Sequence, residues 1–506
     1  MKKSVLYKGI YLKTLCLLAI TFFLLLLIPE VIQARPGGGH SYSGGNDSGG
    51  GGGGGDIAGL IFYILMSLPP EISIPLVVVI ILLYWLSNRR KNTRSVSVVS
   101  VPTYHNKSAE LQQIETKIEH LKKNDPNFSR VLFLDFITSL YFKYYGNIAK
   151  KEFKDLKPFL SDSIFQSMAG IPIGSRNISE IVIGNINIIS ISQSANQLNI
   201  TSDINSNYTV TLGGKSTRFV LIERWNLSRK NGLLSQGPEK MQDLKCPNCG
   251  APADFSDTGV CQYCNTQIQS GEMQWSLNNI KIIKQEAFSA QGLGVYAQEV
   301  GTDYPTIVQP DINYYIDKFT ANHQLADWNQ YWNNFTDNIA AKYFEEIYKN
   351  WSLLSWSKIR HLLTDRLYES YNFWIETYKS HQLRNKLENL KIQRIDMASI
   401  ETDKFYESFT VRIFASCLDY TENTAGKLIG GSKSKPRVFS EYWTFIRRTG
   451  VEKKESAYSL YNCPNCGAPA DKMGQAAVCA YCSAKISHGD FSWVLARIVQ
   501  DEEYTG

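Results

Sequence analysis

Cys246-Pro-Asn-Cys-Gly-Ala-Pro-Ala-Asp254 occurs twice in this chain of 506 residues, and the second occurrence spans residues 463–471. Tryptophans flank both occurrences at almost the same offset, the pairs being Trp225 with Trp443 and Trp275 with Trp493. The period from Cys246 to Cys463 is far too long for a solenoid repeat. The sequence therefore predicts two tandem copies of a whole domain, each of ordinary size.

Each occurrence begins a pair of Cys-x-x-Cys turns that are separated by a short segment. Two cysteines three positions apart on a tight turn can direct both sulfurs at one ion about 2.3 Å away, and two such turns complete a tetrahedral site. A closed four-sulfur site leaves no coordination position for water, so each of the two predicted zinc ions is structural. The predicted ligands are Cys246, Cys249, Cys261 and Cys264 for one ion, and Cys463, Cys466, Cys479 and Cys482 for the other.

The sequence of the first turn favours metal binding. Its proline fixes φ, and Gly250 or Gly467 can adopt the positive φ that frees backbone N–H groups to bond the thiolates. Thiols of this kind persist in a reducing cytoplasm. Disulfides or unliganded thiols are one alternative. Iron is another, because proline-containing turns of this type also hold single iron ions.

Zinc ribbons often bind nucleic acid, but this sequence argues against that function. The net charge of +6 is small for 506 residues. No basic residue lies between Cys249 and Cys261, and Lys472 is the only one between Cys466 and Cys479. A nucleic-acid surface needs clustered Lys and Arg to neutralise phosphates.

Both copies are predicted to be α+β domains. Hydrophobic residues make up 43% of the chain, which is enough for real cores. Helical patterns come first, near residues 128–141, 155–169, 328–350 and 357–379. Strand patterns follow, near residues 181–191, 196–212, 217–227 and 274–283, and again near residues 390–400, 405–417, 437–447 and 491–499. Helices before an antiparallel meander predict helices on one face of a curved sheet, with the ribbon inserted between the third and fourth strands.

The amino terminus has the pattern of a secretory signal. Lysines precede an apolar run at residues 15–28, and Ala34 provides a small residue at a cleavage point. An uncleaved signal anchor is the alternative, because the apolar run is long. The next residues, 35–56, are rich in glycine, which predicts a disordered spacer.

Residues 57–87 are predicted to cross a membrane. They are apolar apart from Glu71, although Pro69-Pro70 divides them into two pieces. A basic cluster follows at once, made of Arg89, Arg90, Lys91 and Arg94. The positive-inside tendency therefore places all later residues in the cytoplasm, and the cluster can also contact anionic lipid. A buried core helix is the alternative to a membrane span.

These features divide the chain into seven parts. The predicted parts are a signal peptide at residues 1–34, a spacer at 35–56, a transmembrane segment at 57–87, a basic juxtamembrane linker with a helix at 88–124, a first domain at 125–285 with its ribbon at 244–270, a linker at 286–324, and a second domain at 325–503 with its ribbon at 461–487.

Several stretches resemble bacterial membrane proteins of the mitochondrial import inner-membrane translocase subunit 44-like family, with zinc ribbons appended. They are Asp125-Pro-Asn-Phe-Ser129 and Leu156-Lys-Pro-Phe-Leu-Ser-Asp162 in the first copy, and Ile359-Arg-His-Leu-Leu-Thr-Asp-Arg-Leu367, Trp374-Ile-Glu-Thr-Tyr-Lys379, Leu383-Arg-Asn385, Asp419-Tyr420 and Glu441-Tyr-Trp-Thr444 in the second. The resemblance implies two tandem cystatin-like cones, similar to nuclear transport factor 2-like folds. The mitochondrial relative tethers a chaperone to a protein channel and touches acidic lipids. The ribbons, the anchor and the duplication depart from that relative, and no segment here matches its chaperone-binding arm.

The function predicted from these observations is non-enzymatic binding or tethering at the cytoplasmic face of the cell membrane. The roles considered are assistance to protein transport and the binding of lipid or peptide, with membrane lipid and an unidentified protein as partners. The alternative is a cone-fold enzyme that acts on a small apolar substrate. Its available acids and bases are Asp419, Glu441, His361 and His381, which we interpret instead as surface or helix-cap residues.

Overall fold

Two antiparallel sheets, one in each predicted copy, organise the chain. The computed structural model describes residues 101–148, 150, 152–170, 177–256, 258–288, 302–451, 460–470, 473–501 and 504, with side chains from Gln112 onward. The predicted signal peptide, glycine-rich spacer, transmembrane segment and basic cluster lie outside these residues. In the described part of the chain, no helix has the length and apolar character that a membrane span requires.

The first half begins with helices and ends with a four-stranded meander. Its elements are α1 (Val101–Asn124), α2 (Arg130–Asn147), a 3-10 turn (Lys154–Phe159), α3 (Asp162–Ala169), β1 (Asn177–Gln193), β2 (Gln197–Leu212), β3 (Lys215–Lys230), the single turn α4 (Pro238–Met241) and β4 (Ser276–Ala287).

The second half repeats this order. Its elements are α5 (Ile312–Asn322), α6 (Trp328–Phe335), a π-helical turn (Thr336–Ala340), α7 (Ala341–Ser352), a 3-10 turn (Trp356–Leu362), α8 (Asp365–Ser380), β5 (Leu383–Thr402), β6 (Tyr406–Asn423), the short β7 (Leu428–Gly431), β8 (Arg437–Arg448) and β9 (Val494–Gln500).

The strand order is β1-β2-β3-β4 in one sheet and β5-β6-β8-β9 in the other, and β7 also pairs with β6. All neighbouring strands are antiparallel. The strands on either side of each ribbon pair directly, with Leu227 opposite Leu277 and Phe445 opposite Leu495. The predicted α+β class and the ribbon insertion between the third and fourth strands are therefore confirmed. The finer cystatin-like assignment stays a prediction.

Local sequence explains where the helices begin. Ser129 accepts a bond from the N–H of Leu132 at 3.3 Å, which caps α2. Ser161 caps α3 in the same way, through the N–H of Ile164 at 3.4 Å. The N-cap residues of α3 and α8 also bond the last strand of their own half: the N–H of Ser161 donates to the carbonyl of Leu277 at 2.9 Å, and that of Thr364 donates to the carbonyl of Leu495 at 3.0 Å.

Aromatic side chains fill the space between the helices and each sheet. All four paired tryptophans are buried. Phe133 of α2 packs edge-on against Trp275, with ring centroids 5.0 Å apart. In the second half, Phe335 of α6 meets Trp493 at 5.4 Å. Edge-to-face packing at these distances favours aromatic pairs beyond their burial alone.

The segment predicted as a linker, residues 286–324, contains ordered structure. Its last part is α5, and Phe319 of this helix is buried against Phe409 of β6, with centroids 4.9 Å apart. Upstream of α5, the N–H of Gln309 donates to the carbonyl of Ala398 at 2.8 Å. The predicted domain boundaries stay predictions, but residues from Gln309 onward pack on the second half.

The two halves also contact each other, and Ser108–Gly506 belongs to one compact unit. Lys122 of α1 lies 3.4 Å from Glu401 of β5. The Arg218 guanidinium of β3 stacks 3.8 Å from the ring centroid of Phe373 in α8. Tyr406 of the second half is buried in the core of the first.

Candidate metal centres

The sulfur atoms of each predicted quartet converge. All four Sγ atoms of each group lie within 4.8 Å of one another. Two sulfur pairs of the first site are 4.0 Å apart, and two of the second site are 3.8 Å apart. A tetrahedron with metal–sulfur bonds of about 2.3 Å has edges of about 3.8 Å, whereas a disulfide is about 2.05 Å long. All eight cysteines are free thiols, so the arrangement fits a four-coordinate metal and not disulfides.

The four Cys-x-x-Cys turns share one backbone geometry. The N–H of Gly250 donates to the carbonyl of Cys246, and that of Gly467 donates to Cys463, both at 2.8 Å. Asn265 and Ser483 make the same bond in the second turns, at 2.9 Å. These four residues all have positive φ, between 55° and 75°. The positive φ predicted for Gly250 and Gly467 is confirmed.

The sulfurs of one site have unequal acidity. Burial raises the pKa of the Cys246 thiol to about 12, although the N–H groups of Cys249 and Asn248 bond its sulfur. Hydrogen bonds from Thr266 and from Asn248, whose Nδ2 lies 3.5 Å from the sulfur, lower the pKa of Cys264 to about 6. One thiolate is therefore available near neutral pH to attract a cation.

The second site repeats this pattern. Burial raises the pKa of Cys463 to about 12. The backbone N–H of Ala484 and the side chain of Asn465 lower the pKa of Cys482 to about 6, and Asn465 Nδ2 lies 3.4 Å from that sulfur. The asparagine of each Cys-Pro-Asn-Cys turn therefore supports the fourth cysteine of its own site.

The ribbons have little core of their own. The hydrophobic cluster of the first ribbon consists of the buried residues Cys246, Phe255, Cys261 and Ile268, and that of the second consists of Cys463, Ala470, Met473, Cys479 and Ile486. Half of the first set and two of the second are the cysteines themselves. So small a core cannot offset the entropy of ordering the segment. Metal binding would supply the folding energy that the side chains lack.

An arginine and a glycine attach each ribbon to its sheet. Arg229 stacks 4.5 Å from the ring centroid of Trp275, and Arg447 stacks 4.6 Å from that of Trp493. The carbonyl of Gly271 accepts from the N–H of Lys230 at 2.7 Å. In the second half, Gly489 accepts in the same way from Arg448, at 2.9 Å.

A buried glutamate bonded by tyrosine also occurs in both halves. Glu223 of β3 is fully buried and accepts hydrogen bonds from Tyr141, at 2.6 Å, and from Tyr145. Glu441 of β8 is fully buried and accepts from Tyr348 at 2.6 Å. Burial raises the pKa of Glu223, while the two tyrosine bonds act in the opposite direction. These glutamates anchor a helix to a strand within each core.

Of the four acids and bases considered for an enzyme, the two carboxylates are held in structural pairs. Asp419 accepts from Arg437 at 2.7 Å and from Asn385 at 2.8 Å, and all three residues are buried. Glu441 is bonded by Tyr348, as described above, and by Trp443 Nε1 at 3.1 Å. The interpretation of Asp419 and Glu441 as surface or helix-cap residues is therefore wrong.

The two histidines differ from each other. His361 is buried, and its Nε2 bonds the carbonyl of Leu460; burial lowers the pKa of this imidazole. Its interpretation as a surface residue is also wrong. His381 is exposed at the C-terminal end of α8, where its Nδ1 lies 2.8 Å from the carbonyl of Thr377. The helix-cap interpretation is correct for His381.

A cavity of about 90 Å³ lies at the junction of the two halves. Its wall includes Arg130 of α2, which pairs with Glu115 at 2.5 Å and with Glu401 of β5 at 3.2 Å. Arg366 of α8 and Asp135 of α2 also line it. The wall of this cavity combines these charged groups with apolar side chains such as Val131 and Leu134, and residues of both copies contribute to it.

Glu223, Glu441, Arg229 and Arg447 were not connected by the sequence reasoning, although a signal was present. The offset between Glu223 and Glu441 equals that between Arg229 and Arg447, and the paired tryptophans share it. Extending the tryptophan offset to neighbouring positions would have found both pairs.

Residues 329–463 match the family model described as Tim44-like domain. Among solved structures, one titled "Ntf2 like protein involved in plasmid conjugation" is 8% identical; the match covers 62% of this chain and 89% of that chain, with a TM-score of 0.17. None of the curated proteins compared with the chain matches it.

Proposed function

We propose that this protein is a non-enzymatic binding or tethering protein, anchored in the cell membrane, whose two cytoplasmic copies are each completed by a structural zinc ion. The observation that carries the proposal is the pair of closed four-sulfur clusters with edges of 3.8–4.0 Å. The Tim44-like match over residues 329–463 supports a scaffold of this kind. Protein transport and the binding of lipid or peptide are the roles we consider for it.

Zinc suits these sites better than the alternatives. Four thiolates in a tetrahedron are a common structural zinc environment. The sulfur–sulfur distances are about twice the length of a disulfide bond. Iron, which also accepts four thiolates, is the alternative that metal analysis distinguishes from zinc.

The filled interior of each half argues for a binding site on the surface and not inside the cones. Trp225 and Trp443 are fully buried between helices and sheet. A ligand inside either cone would have to displace core aromatics of this kind. Removing one such side chain from a core typically lowers the free energy of unfolding by about 3–5 kcal/mol. The carboxylates of Asp419 and Glu441 are already held by other side chains, which leaves them unsuited to acid–base exchange with a substrate.

The membrane attachment rests on residues 1–94. Their apolar run at 57–87 and the basic cluster that follows support a single anchor with the two copies in the cytoplasm. Eight thiols placed to bind metal agree with a reducing compartment.

Protease protection tests this proposal on the full-length chain. We expect protease added to spheroplasts to leave all residues beyond Arg94 intact, and to digest them only after the membrane is permeabilised. Alkaline extraction should leave the chain in the membrane fraction. Digestion from outside would overturn the topology, and release by alkali would overturn the anchor.

A further inference from the structure

The loop between β6 and β8 has no counterpart in the first half. The equivalent hairpin, between β2 and β3, turns through Gly213 and Gly214 alone. In the second half, residues 424–436 separate β6 from β8, and they include the short strand β7. We call residues 424–436 the arm.

Most residues of the arm are exposed to solvent. Its base is closed by the N–H of Asn423, which donates to the carbonyl of Lys427 at 3.0 Å. Leu428 and Ile429 are adjacent in β7, and neighbouring side chains of a strand face opposite sides. Both are well exposed, at 44% and 46%, so neither side of the arm is covered.

The arm is also basic. Its sequence, Thr-Ala-Gly-Lys-Leu-Ile-Gly-Gly-Ser-Lys-Ser-Lys-Pro, contains three lysines and no acidic residue. Lys427, Lys433 and Lys435 are all exposed. The nearest acid along the chain, Glu422, is neutralised by Lys386 at 2.7 Å and by Lys433 at 2.8 Å.

Exposed aliphatic side chains beside lysines suit an anionic membrane surface. The aliphatic groups can enter the headgroup region while the ammonium groups remain among lipid phosphates. Single-stranded nucleic acid would favour aromatic side chains for base stacking, and the arm has none. We propose that the arm docks on a membrane surface that carries anionic lipid, with Leu428 and Ile429 entering the interface and Lys427, Lys433 and Lys435 contacting headgroups.

A short segment separates the proposed anchor from α1. The proposal rests on the proposed anchor, which ends at residue 87, while α1 begins at Val101. The segment 88–100 between them can extend at most about 45 Å, because an extended residue spans about 3.3–3.6 Å. A short tether raises the effective concentration of the tethered chain at a membrane surface, so a weak contact by the arm can contribute to binding.

Lysine acylation measured by mass spectrometry tests the proposal. Full-length protein is placed in nanodiscs of neutral phosphatidylcholine, or of phosphatidylcholine with about one-third phosphatidylglycerol. We expect anionic lipid to slow acylation of the three arm lysines several-fold, and added salt at molar concentration to restore the rate because salt screens exposed charges. Lys349, which is 57% exposed and lies in α7, serves as the internal reference and should react equally in both lipids.

Two variants separate docking from general membrane proximity. Leu428→Ser with Ile429→Ser should abolish most of the slowing while leaving all three lysines in place. Leu212→Ser changes an exposed leucine beside the short hairpin of the first half, and it should leave the slowing intact. Equal acylation rates in the two lipids, or unchanged slowing in the double variant, would overturn the proposal. Slowing by added oligonucleotide in neutral nanodiscs, and not by anionic lipid, would point to nucleic acid instead.

Failure of the anchor is read separately from failure of the arm. Chain that does not co-elute with nanodiscs refutes the anchor, and the same acylation measured on that chain mixed with anionic vesicles still tests the arm. Chain that co-elutes, but whose arm lysines react alike in both lipids, refutes the arm and leaves the anchor in place.

Discussion

Replacing Cys463 and Cys466 by serine should unfold the second ribbon and leave the first site able to hold metal. Two of the four sulfurs are lost, and two thiolates cannot complete a structural tetrahedron. The remaining ribbon core is then Ala470, Met473, Cys479 and Ile486, which is too small to stay folded without metal.

The cost to the rest of the second half follows from the contacts that this ribbon makes. Arg360 Nε donates to the carbonyl of Gln475 at 2.5 Å, and Arg448 donates from its N–H to Gly489 and from its Nε to Asp490, each at 2.9 Å. A neutral hydrogen bond contributes about 0.5–1.5 kcal/mol and one with a charged group about 1.5–3 kcal/mol. With the part-exposed Arg448–Asp490 bond discounted for screening, the free energy of unfolding should fall by about 3–5 kcal/mol.

Thermal unfolding and metal analysis of the full-length protein in detergent measure both effects. A loss of about 3–5 kcal/mol corresponds to a fall in Tm of about 6–20 °C for a domain of this size. The first half should also lose some stability. Ile446 and Val494, at the ends of the strands that flank the second ribbon, pack in the core of the first half. Cys246→Ser with Cys249→Ser is the matched variant for the first half. An unchanged Tm, or loss of metal from both sites in either variant, would show that the ribbons do not depend on their own metal in this way.

Two further substitutions test the second core. Glu407→Gln should cost about 3–5 kcal/mol, because it leaves the buried Arg447 guanidinium without its ion pair, at 2.7 Å. Burial alone would raise the pKa of Glu407, but the bonds from His323 and Arg447 lower the pKa below its usual value of 4.5. The stability that ionised Glu407 contributes is therefore present above pH 4.5 and is lost as the pH falls through the lower pKa of the folded state. Denaturant titrations at neutral pH and well below pH 4.5 should show that the difference in unfolding free energy between variant and parent shrinks at low pH. Gly489→Ala should destabilise the second half by at least about 1–2 kcal/mol. The φ of Gly489 is 75°, and an added Cβ would lie 2.8 Å from the Cα of Arg447. Gly474→Ala is the control: the space around Gly474 is open, so this change should leave Tm nearly unchanged in thermal unfolding.

The metal sites could be predicted from sequence because their geometry is local. Four ligands in one short segment, two tight turns and a glycine after the first turn determine where the sulfurs lie, and the structure places them together. The repeated stretch that begins at Cys246 and at Cys463 also predicted two copies and the position of each ribbon between paired strands. Period-two and helical patterns placed most strands within a few residues of their observed bounds.

The rest depends on contacts between distant residues. Lys122 and Glu401 are 279 positions apart, and nothing in either segment indicates their ion pair. Asp419 and Glu441 are interpreted from sequence as surface or helix-cap residues because a single sequence shows no pairing for them. Their burial depends on Arg437 and Tyr348, which reach them from other elements. The helix Ile312–Asn322 lies in the segment predicted as a linker, since its 11 residues make a short pattern; its packing depends on Phe409 of β6, which is distant in sequence.

X-ray absorption at the zinc edge, combined with metal analysis of the full-length protein, identifies the metal and its ligands. We expect two zinc ions per chain, each with four sulfur neighbours at about 2.3 Å and no nitrogen or oxygen neighbour. The double variant of Cys463 and Cys466 should retain one ion with the same spectrum. Fewer than one metal per chain with disulfides present, iron in place of zinc, or an oxygen neighbour that marks an open catalytic position would contradict this expectation.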